Sequence, residues 1–143
     1  IEDGIEVISV GVSFLRFLEI ADCIQTKIAV VTDNDGDMAA INKKYANYIG
    51  AKRKEYIKIC VDDVVDTGTL KIGESGYNYN TLEPKLLKVN GMEKLNRILG
   101  TDYMEEDDLR KYMKHNKTEC GLKIFESSED IEIPEYILEA IRW

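Results

Sequence analysis

The chain has 143 residues, of which 44% are hydrophobic and 32% charged, and its formal net charge is −8 at neutral pH. This length fits one domain with its own apolar core, and the composition excludes intrinsic disorder. No apolar stretch is long enough to span a membrane. The acidic balance argues against an extended DNA-binding surface, although a bound metal ion could still attract phosphate groups.

The first half of the chain alternates strand and helix patterns. Three runs have strand composition: Glu6–Val12, Ile28–Thr32 and Glu55–Val61. The second run has the β-branched composition of a strand buried on both faces. Helix patterns separate the three runs, the first capped by Ser13 over residues 14–24 and the second from Asp37 to about Ile49. This order predicts a parallel sheet with right-handed crossovers.

The second half of the chain is polar at first and then helical. Residues 62–80 are rich in Gly, Asp, Tyr and Asn and favour a short hairpin around Thr69–Ile72. A helical segment opens at Thr81 and breaks near Asn90 and Gly91. Three further helices are predicted, at Asp107–His115, at Thr118–Phe125 and from Pro134 to Trp143. We expect one α/β domain over residues 1–143, with its core at about 1–84 and a helical part at 85–143.

Three cysteines lie far apart in the sequence and form no C-x-x-C pair: Cys23, Cys60 and Cys120. An odd number of widely spaced cysteines is typical of reduced thiols with a structural role. We therefore expect a cytoplasmic protein.

The acidic loop after the second strand carries the strongest chemical signal. Its sequence is DNDGD, and Asp33 and Asp35, two residues apart, can direct carboxylate oxygens at one hard cation. Open α/β sheets bind ligands at the carboxyl ends of their strands, which favours a Mg²⁺ site here. A calcium loop of the EF-hand type is excluded, because Lys44 occupies the twelfth position, where that loop needs a glutamate.

The loop also resembles the D-x-D-G-T motif of haloacid-dehalogenase-type phosphatases. That resemblance implies Asp33 as the nucleophile and Asp35 as the general acid and base. Asp37 stands where that family has threonine, and a strand and helix precede the loop, although that family has the motif first. The phosphatase is an alternative hypothesis.

Four segments, in order, are similar to another family: SVGVSFLRFLEIA, VVTDNDGD, NTLEPKLL and NKTECGLKIFES. They resemble the Toprim (topoisomerase-primase) region of the overcoming-lysogenisation-defect (OLD) family of ATP-dependent endonucleases, which includes the Gabija phage-defence nuclease. The resemblance extends from about Glu6 to Ser127. It implies a Rossmann-like Toprim domain with a mostly parallel sheet and C-terminal helices, and a metal-dependent DNA endonuclease that hydrolyses phosphodiesters.

The resemblance also implies roles for particular residues. Asp33 and Asp35 match the metal ligands of the D-x-D motif, and Glu83 matches the later acidic ligand. Lys117 matches a lysine near the scissile phosphate. The complete site would hold two Mg²⁺ or Mn²⁺ ions. No G-x-x-x-x-G-K-[ST] motif occurs, so no nucleotide cofactor is predicted for these residues.

The implied partners are DNA, an upstream ATPase domain of the same protein, and further copies in a homo-oligomer. One departure concerns the glutamate that opens a Toprim domain. Glu2 lies too close to the first predicted strand to match it, so we expect the chain to begin inside the domain. The isolated chain should then bind metal weakly and cut DNA poorly or not at all. A non-catalytic assembly module or remnant is the third hypothesis.

Overall fold

The structure is a computed structural model that describes residues 6–11 and 14–143. It contains seven helices and four strands within these residues, in the order α1 (Phe14–Ile24), β1 (Ile28–Thr32), α2 (Met38–Lys44), β2 (Ile57–Val61), β3 (Lys71–Ile72), β4 (Ser75–Gly76), α3 (Leu82–Asn90), α4 (Met92–Leu99), α5 (Glu106–His115), α6 (Lys117–Glu126) and α7 (Glu135–Arg142). A short 3₁₀ helix, Gly50–Lys52, precedes β2.

The chain divides into two compact units, each built from separate stretches of sequence. Unit 1 comprises the described residues up to Thr32, then Met38–Asp62 and Glu135–Trp143. Unit 2 comprises Asp33–Asp37 and Asp63–Pro134. The acidic loop thus belongs to the same unit as helices α3 to α6.

Unit 1 is built on a parallel pair of strands. β1 and β2 align from Ile28 opposite Ile57 to Thr32 opposite Val61, and α7 packs on both strands. The core combines one face of α1 with α2, the turn after α2 and β2: Leu18, Ala21, Ile41, Tyr45, Tyr48 and Ile57. Parallel strands joined through a helix confirm the α/β class.

The predicted strand at Glu6–Val12 is wrong for the residues that the structure describes. Residues 6–10 have no strand conformation, and the side chains of Val7 and Ile8 are 82% and 59% exposed. A strand needs a neighbour for its backbone hydrogen bonds, and the sheet around β1 contains only β2 within the described part of the chain. Val12 and the predicted cap Ser13 lie outside the described residues.

Two further predictions for unit 1 need correction. β1 is not buried on both faces, since Val31 is 45% exposed. A sheet of two strands offers little apolar surface to cover it. The second helix ends at Lys44 rather than near Ile49. The chain turns there, and the amide of Tyr48 donates to the carbonyl of Tyr45 at 2.9 Å. This turn buries both tyrosine rings in the core.

Unit 2 begins with a polar loop and a small hairpin. β3 and β4 pair antiparallel, with Lys71 opposite Gly76, so the turn falls at Gly73 and Glu74. The predicted hairpin therefore exists and is centred a few residues beyond Thr69–Ile72. Gly73 has a φ of 65°, a conformation that glycine adopts without steric cost.

Four helices form the rest of unit 2, and their predicted bounds are confirmed to within about two residues. Gly91, with φ 88°, separates α3 from α4, as the sequence predicts. The helices surround a core of fully apolar contacts: Leu87, Leu95, Ile98, Leu99, Leu109, Met113 and Cys120. Within the described residues, no helix has the length and apolar character needed to cross a membrane.

Candidate functional site

Asn34 organises the acidic loop, although its neighbours are the candidate metal ligands. Only 1% of its surface is exposed. Its side-chain Oδ1 accepts the amide N–H of Gly36 at 2.8 Å, and its Nδ2 donates to the carbonyl of Val64 at 2.9 Å. The first bond closes a local turn of the kind that Asn side chains favour. The second bond anchors the loop to the segment that follows Asp63 within unit 2.

The two predicted metal ligands differ in exposure. Asp33 is half-buried, whereas Asp35 is exposed. Asp35 has a φ of 51°, in the left-handed region that non-glycine residues seldom adopt. The amide nitrogen of Asn78 donates to its Oδ1 at 3.1 Å. The turn thus presents a carboxylate at the surface of unit 2.

A network of polar groups around the buried Lys85 supports this loop. Lys85, 2% exposed, donates to the Oδ2 of Asp66 at 2.6 Å and to the carbonyl of Val64 at 2.8 Å. Lys88 donates to both carboxylate oxygens of Asp66, at 2.9 and 3.1 Å. Burial alone would raise the pKa of Asp66, but the bonds from the two lysines outweigh it and hold that pKa below its ordinary value.

Asn80 completes the network through the backbone of Asp66. Its Oδ1 accepts the amide N–H of Asp66 at 2.8 Å, and its Nδ2 donates to the carbonyl of the same residue at 3.0 Å. The amide N–H of Asn80 in turn donates to the Oδ1 of Asn78 at 2.9 Å. Asn78 is therefore oriented from one side by Asn80 while it donates to Asp35 on the other.

Two neighbouring surface pockets of unit 2 share two lining residues, Tyr77 and Asn78. The first pocket has a volume of about 350 Å³, is open to solvent and is lined by Asp35, Gly36, Asp66, Thr67, Gly68, Tyr77, Asn78, Tyr79 and Asn80. The second has a volume of about 180 Å³ and is lined by Tyr77, Asn78, Thr81, Glu83, Lys114 and Lys117. We call them the acidic pocket and the lysine pocket.

Tyr77 and Tyr79 form the wall beside the acidic pocket. Their rings meet edge to face at 5.0 Å, and the guanidinium of Arg110 lies 5.1 Å from the ring of Tyr79. A Cβ atom at Gly68 would lie 2.2 Å from that ring, so the close approach requires glycine. Burial raises the pKa of Tyr77 to about 12, so its hydroxyl stays protonated at neutral pH.

Glu83 and Lys117, predicted to belong to one site, do lie together. The Nζ of Lys117 is 3.7 Å from the Oε1 of Glu83, with Glu83 in the first turn of α3 and Lys117 at the start of α6. The lysine side chain is 60% exposed and the glutamate 19%. Glu83 therefore faces a cation of the chain itself in the lysine pocket.

The four predicted residues do not share one pocket: Asp35 lines the acidic pocket, Glu83 and Lys117 line the lysine pocket, and Asp33 lines neither of the two. Within residues 6–11 and 14–143, no three His, Cys, Asp or Glu side chains converge as a metal-binding cluster. Mg²⁺ commonly takes one or two carboxylates and completes its shell with water and substrate phosphate. The carboxylates of the loop Asp33–Asp37 are of the type that one hydrated ion of that kind would use, and metal binding, by one ion or by two, stays a prediction.

Sequence reasoning missed Lys114, which lines the lysine pocket, and the residues that hold the acidic loop in place: Asn34, Asp66, Asn78, Asn80 and Lys85. Asp66 in particular forms ion pairs with both Lys85 and Lys88. The available signal was the density of Asn in residues 78–80, since amide side chains that pair with backbone groups are typical of irregular, partly buried loops.

Comparison with known proteins gave no relative. No protein-family model matches this chain, and neither curated proteins nor solved structures gave a match.

Proposed function

We propose that this chain is a Toprim-type, metal-dependent DNA endonuclease module of an OLD-family nuclease. The observation that carries the proposal is that Asp35 and the pair of Glu83 and Lys117 line pockets sharing Tyr77 and Asn78. Carboxylates that bind a metal, next to an ammonium group that can bind phosphate, are the components of phosphodiester hydrolysis.

The proposed roles follow from charge and exposure. Asp35, with Asp33 beside it, would hold Mg²⁺ or Mn²⁺, and such an ion supplies an activated water and a counter-charge for the phosphate. Asn78 fixes the orientation of the Asp35 carboxylate through its 3.1 Å bond. Lys117 is exposed enough to leave Glu83 and approach a phosphate oxygen, and Glu83 would then be released as a further metal ligand.

The remaining parts of the proposal rest on the resemblance. They are DNA as substrate, a Rossmann-like Toprim fold, an ATPase domain of the same protein, a homo-oligomer and a cytoplasmic location. The sequence does not match the glutamate motif that opens a Toprim domain. We therefore propose that the isolated chain binds metal and cleaves DNA only weakly.

Titration with Mn²⁺, measured by calorimetry, tests the metal site directly and does not require cleavage. We expect Asp35→Asn to weaken Mn²⁺ binding at least tenfold, because it removes a charged ligand while asparagine tolerates the positive φ. The matched control is Asp63→Asn, which makes the same charge change at another exposed residue of unit 2. Equal losses in both variants would refute a metal site at Asp35.

A nicking assay on supercoiled plasmid with Mn²⁺ tests the reaction. Any cleavage should disappear in Asp35→Asn and persist in Asp63→Asn. Hydrolysis of a generic phosphomonoester, lost in Asp33→Asn, would instead support the phosphatase alternative. Normal Mn²⁺ binding without either activity would favour the non-catalytic hypothesis.

A further inference from the structure

The lysine pocket contains a cation that the sequence resemblance does not assign. Lys114 lies in the last turn of α5 and Lys117 opens α6, so the short connection between these helices brings both lysines to one pocket. Lys114 is exposed and has no ion-pair partner among the described residues. The pair between Lys117 and Glu83, at 3.7 Å, is longer than a charge-assisted hydrogen bond of about 2.8 Å.

The net charge of this pocket has the opposite sign to the net charge of the whole chain. Two lysines and one glutamate give the lining a net charge of +1, whereas the chain as a whole carries −8. The remaining polar groups are the Thr81 hydroxyl, which makes no capping bond to α3, and the side chains of Tyr77 and Asn78. A pocket with one net positive charge and hydroxyl donors is complementary to a monoanion.

The size of the pocket limits what it can bind. Its volume of about 180 Å³ lies below the roughly 300 Å³ at which pockets for drug-sized molecules begin. It therefore fits one phosphate group rather than a complete nucleotide. A phosphodiester carries one negative charge, which matches the charge of the lining, whereas a phosphomonoester carries nearly two at neutral pH.

We propose that the lysine pocket is a phosphate subsite that holds one phosphodiester of a bound DNA strand, with Lys114 as a binding residue beside Lys117. The inference deepens the proposed function and rests on it, because it assumes that the substrate is a polynucleotide. The subsite would hold the strand next to the acidic pocket, with Tyr77 and Asn78 between the two. Lys114 thereby adds a contact for a backbone phosphate in the pocket that also contains Glu83 and Lys117.

The test is binding of a fluorescein-labelled twelve-nucleotide thymidine strand to the full chain, measured by anisotropy in EDTA at several salt concentrations. We expect Lys114→Ala to weaken binding about fivefold and to lower the slope of log affinity against log salt by about 0.7, the value for one phosphate contact on single-stranded DNA. Lys114→Arg should restore most of the affinity, because it keeps the charge.

The matched control is Lys111→Ala, which makes the same charge change on the exposed surface of the same helix, three residues away and outside the pocket. It should change the affinity less than twofold. Alanine favours helix, and both lysines are exposed, so both variants should fold, which circular dichroism checks. Equal losses for Lys111→Ala and Lys114→Ala would overturn the subsite, as would a wild-type chain that does not bind the strand.

Competition with inorganic phosphate identifies the ligand. Displacement of the strand only by phosphate concentrations far above those of the oligonucleotide supports a polynucleotide subsite. Displacement at equal concentrations would show a site for free phosphate and overturn the proposal. The measurement contains no metal, so it is independent of the Mn²⁺ titration. A Lys114 effect without any metal binding would leave the subsite standing while the proposed nuclease site fails.

Discussion

Unit 2 has a helical part and a loop part, and each is stabilised by a different kind of interaction. The helical part, α3 to α6, encloses a core in which Leu95, Leu99 and Leu109 have no exposed surface. The loop part, residues 33–37 and 63–81, is held by hydrogen bonds from the buried side chains of Asn34 and Asn80. Lys85 joins the two parts, since it lies on α3 and binds Asp66.

Because of this difference, one part of unit 2 mainly provides stability and the other mainly positions chemical groups. Apolar burial is strong and roughly proportional to area, but it has no direction. Hydrogen bonds contribute less net free energy, yet they fix distances and angles, and a buried group that loses its partner is costly. We expect the helical part to determine how stable unit 2 is, and the loop part to determine where the Asp35 carboxylate points.

The largest expected effect tests the apolar side of the comparison. Leu109→Ala should lower the free energy of unfolding by about 3 kcal/mol, because it removes buried methyl groups and leaves a cavity that the helices only partly fill. Urea denaturation measures this loss. Met104→Ala, at a side chain that is 85% exposed, is the control and should have little effect. Folded Leu109→Ala protein should still bind Mn²⁺ like wild type.

The next effect tests the buried lysine that joins the two parts. Lys85→Met keeps most of the volume but leaves the Val64 carbonyl without this donor and Asp66 with Lys88 alone, so we expect a loss of about 2 kcal/mol. Lys88→Met removes the same charge from a side chain that is 50% exposed and should cost about 0.5 kcal/mol or less.

The difference between the two lysine variants is the informative quantity. Both variants remove one positive charge and two hydrogen bonds. Lys88→Met loses two bonds to Asp66 from an exposed side chain, whereas Lys85→Met loses one to Asp66 and one to the Val64 carbonyl from a buried side chain. If urea denaturation gave equal losses for Lys85→Met and Lys88→Met, the buried network would not be what holds the loop part in place.

The smallest expected effect is a dependence of stability on acid pH. The pKa of Asp66 is lower in the folded state, so the folded protein binds fewer protons there than the unfolded chain does. Its stabilising contribution is complete above the ordinary pKa of 3.8 and is lost as the pH falls through the lower, folded-state pKa.

Urea denaturation between about pH 5 and pH 2 measures this dependence. Asp66→Asn should be less stable than wild type at pH 5, and the gap should narrow toward pH 2. A constant gap over that range would mean that the ion pairs of Asp66 contribute no net stability.

The sequence was a good guide to helices α3 to α7 because their ends are marked by local chemistry. Gly91 breaks α3 from α4, and Pro134 precedes α7, whatever the rest of the chain does. β1 was equally clear from its apolar run. The strand predicted at Glu6–Val12 failed because strand formation depends on a partner elsewhere, which an alternating pattern cannot reveal.

The candidate site residues could be selected from the sequence by residue type, but the contacts that support them could not. Asp33, Asp35, Glu83 and Lys117 stand out by residue type and position. The burial of Lys85 does not stand out in the sequence, because a lysine in a helix normally faces solvent. Its burial is explained by its ion pair with Asp66, nineteen residues earlier. Such pairings depend on the tertiary path of the chain, so the pattern around either residue alone gives no sign of them.

At Asp35 the left-handed backbone conformation costs stability, while the side chain supplies a candidate metal ligand. At φ 51° a glycine or an asparagine would cost the fold less than an aspartate does. Selection of this chain for thermal tolerance alone would therefore be expected to replace Asp35, and the resulting protein would be more robust without its candidate metal ligand. Directed evolution for stability, with no functional screen, would then report on this residue: its loss from the surviving clones would identify the carboxylate as a group kept at the expense of the fold.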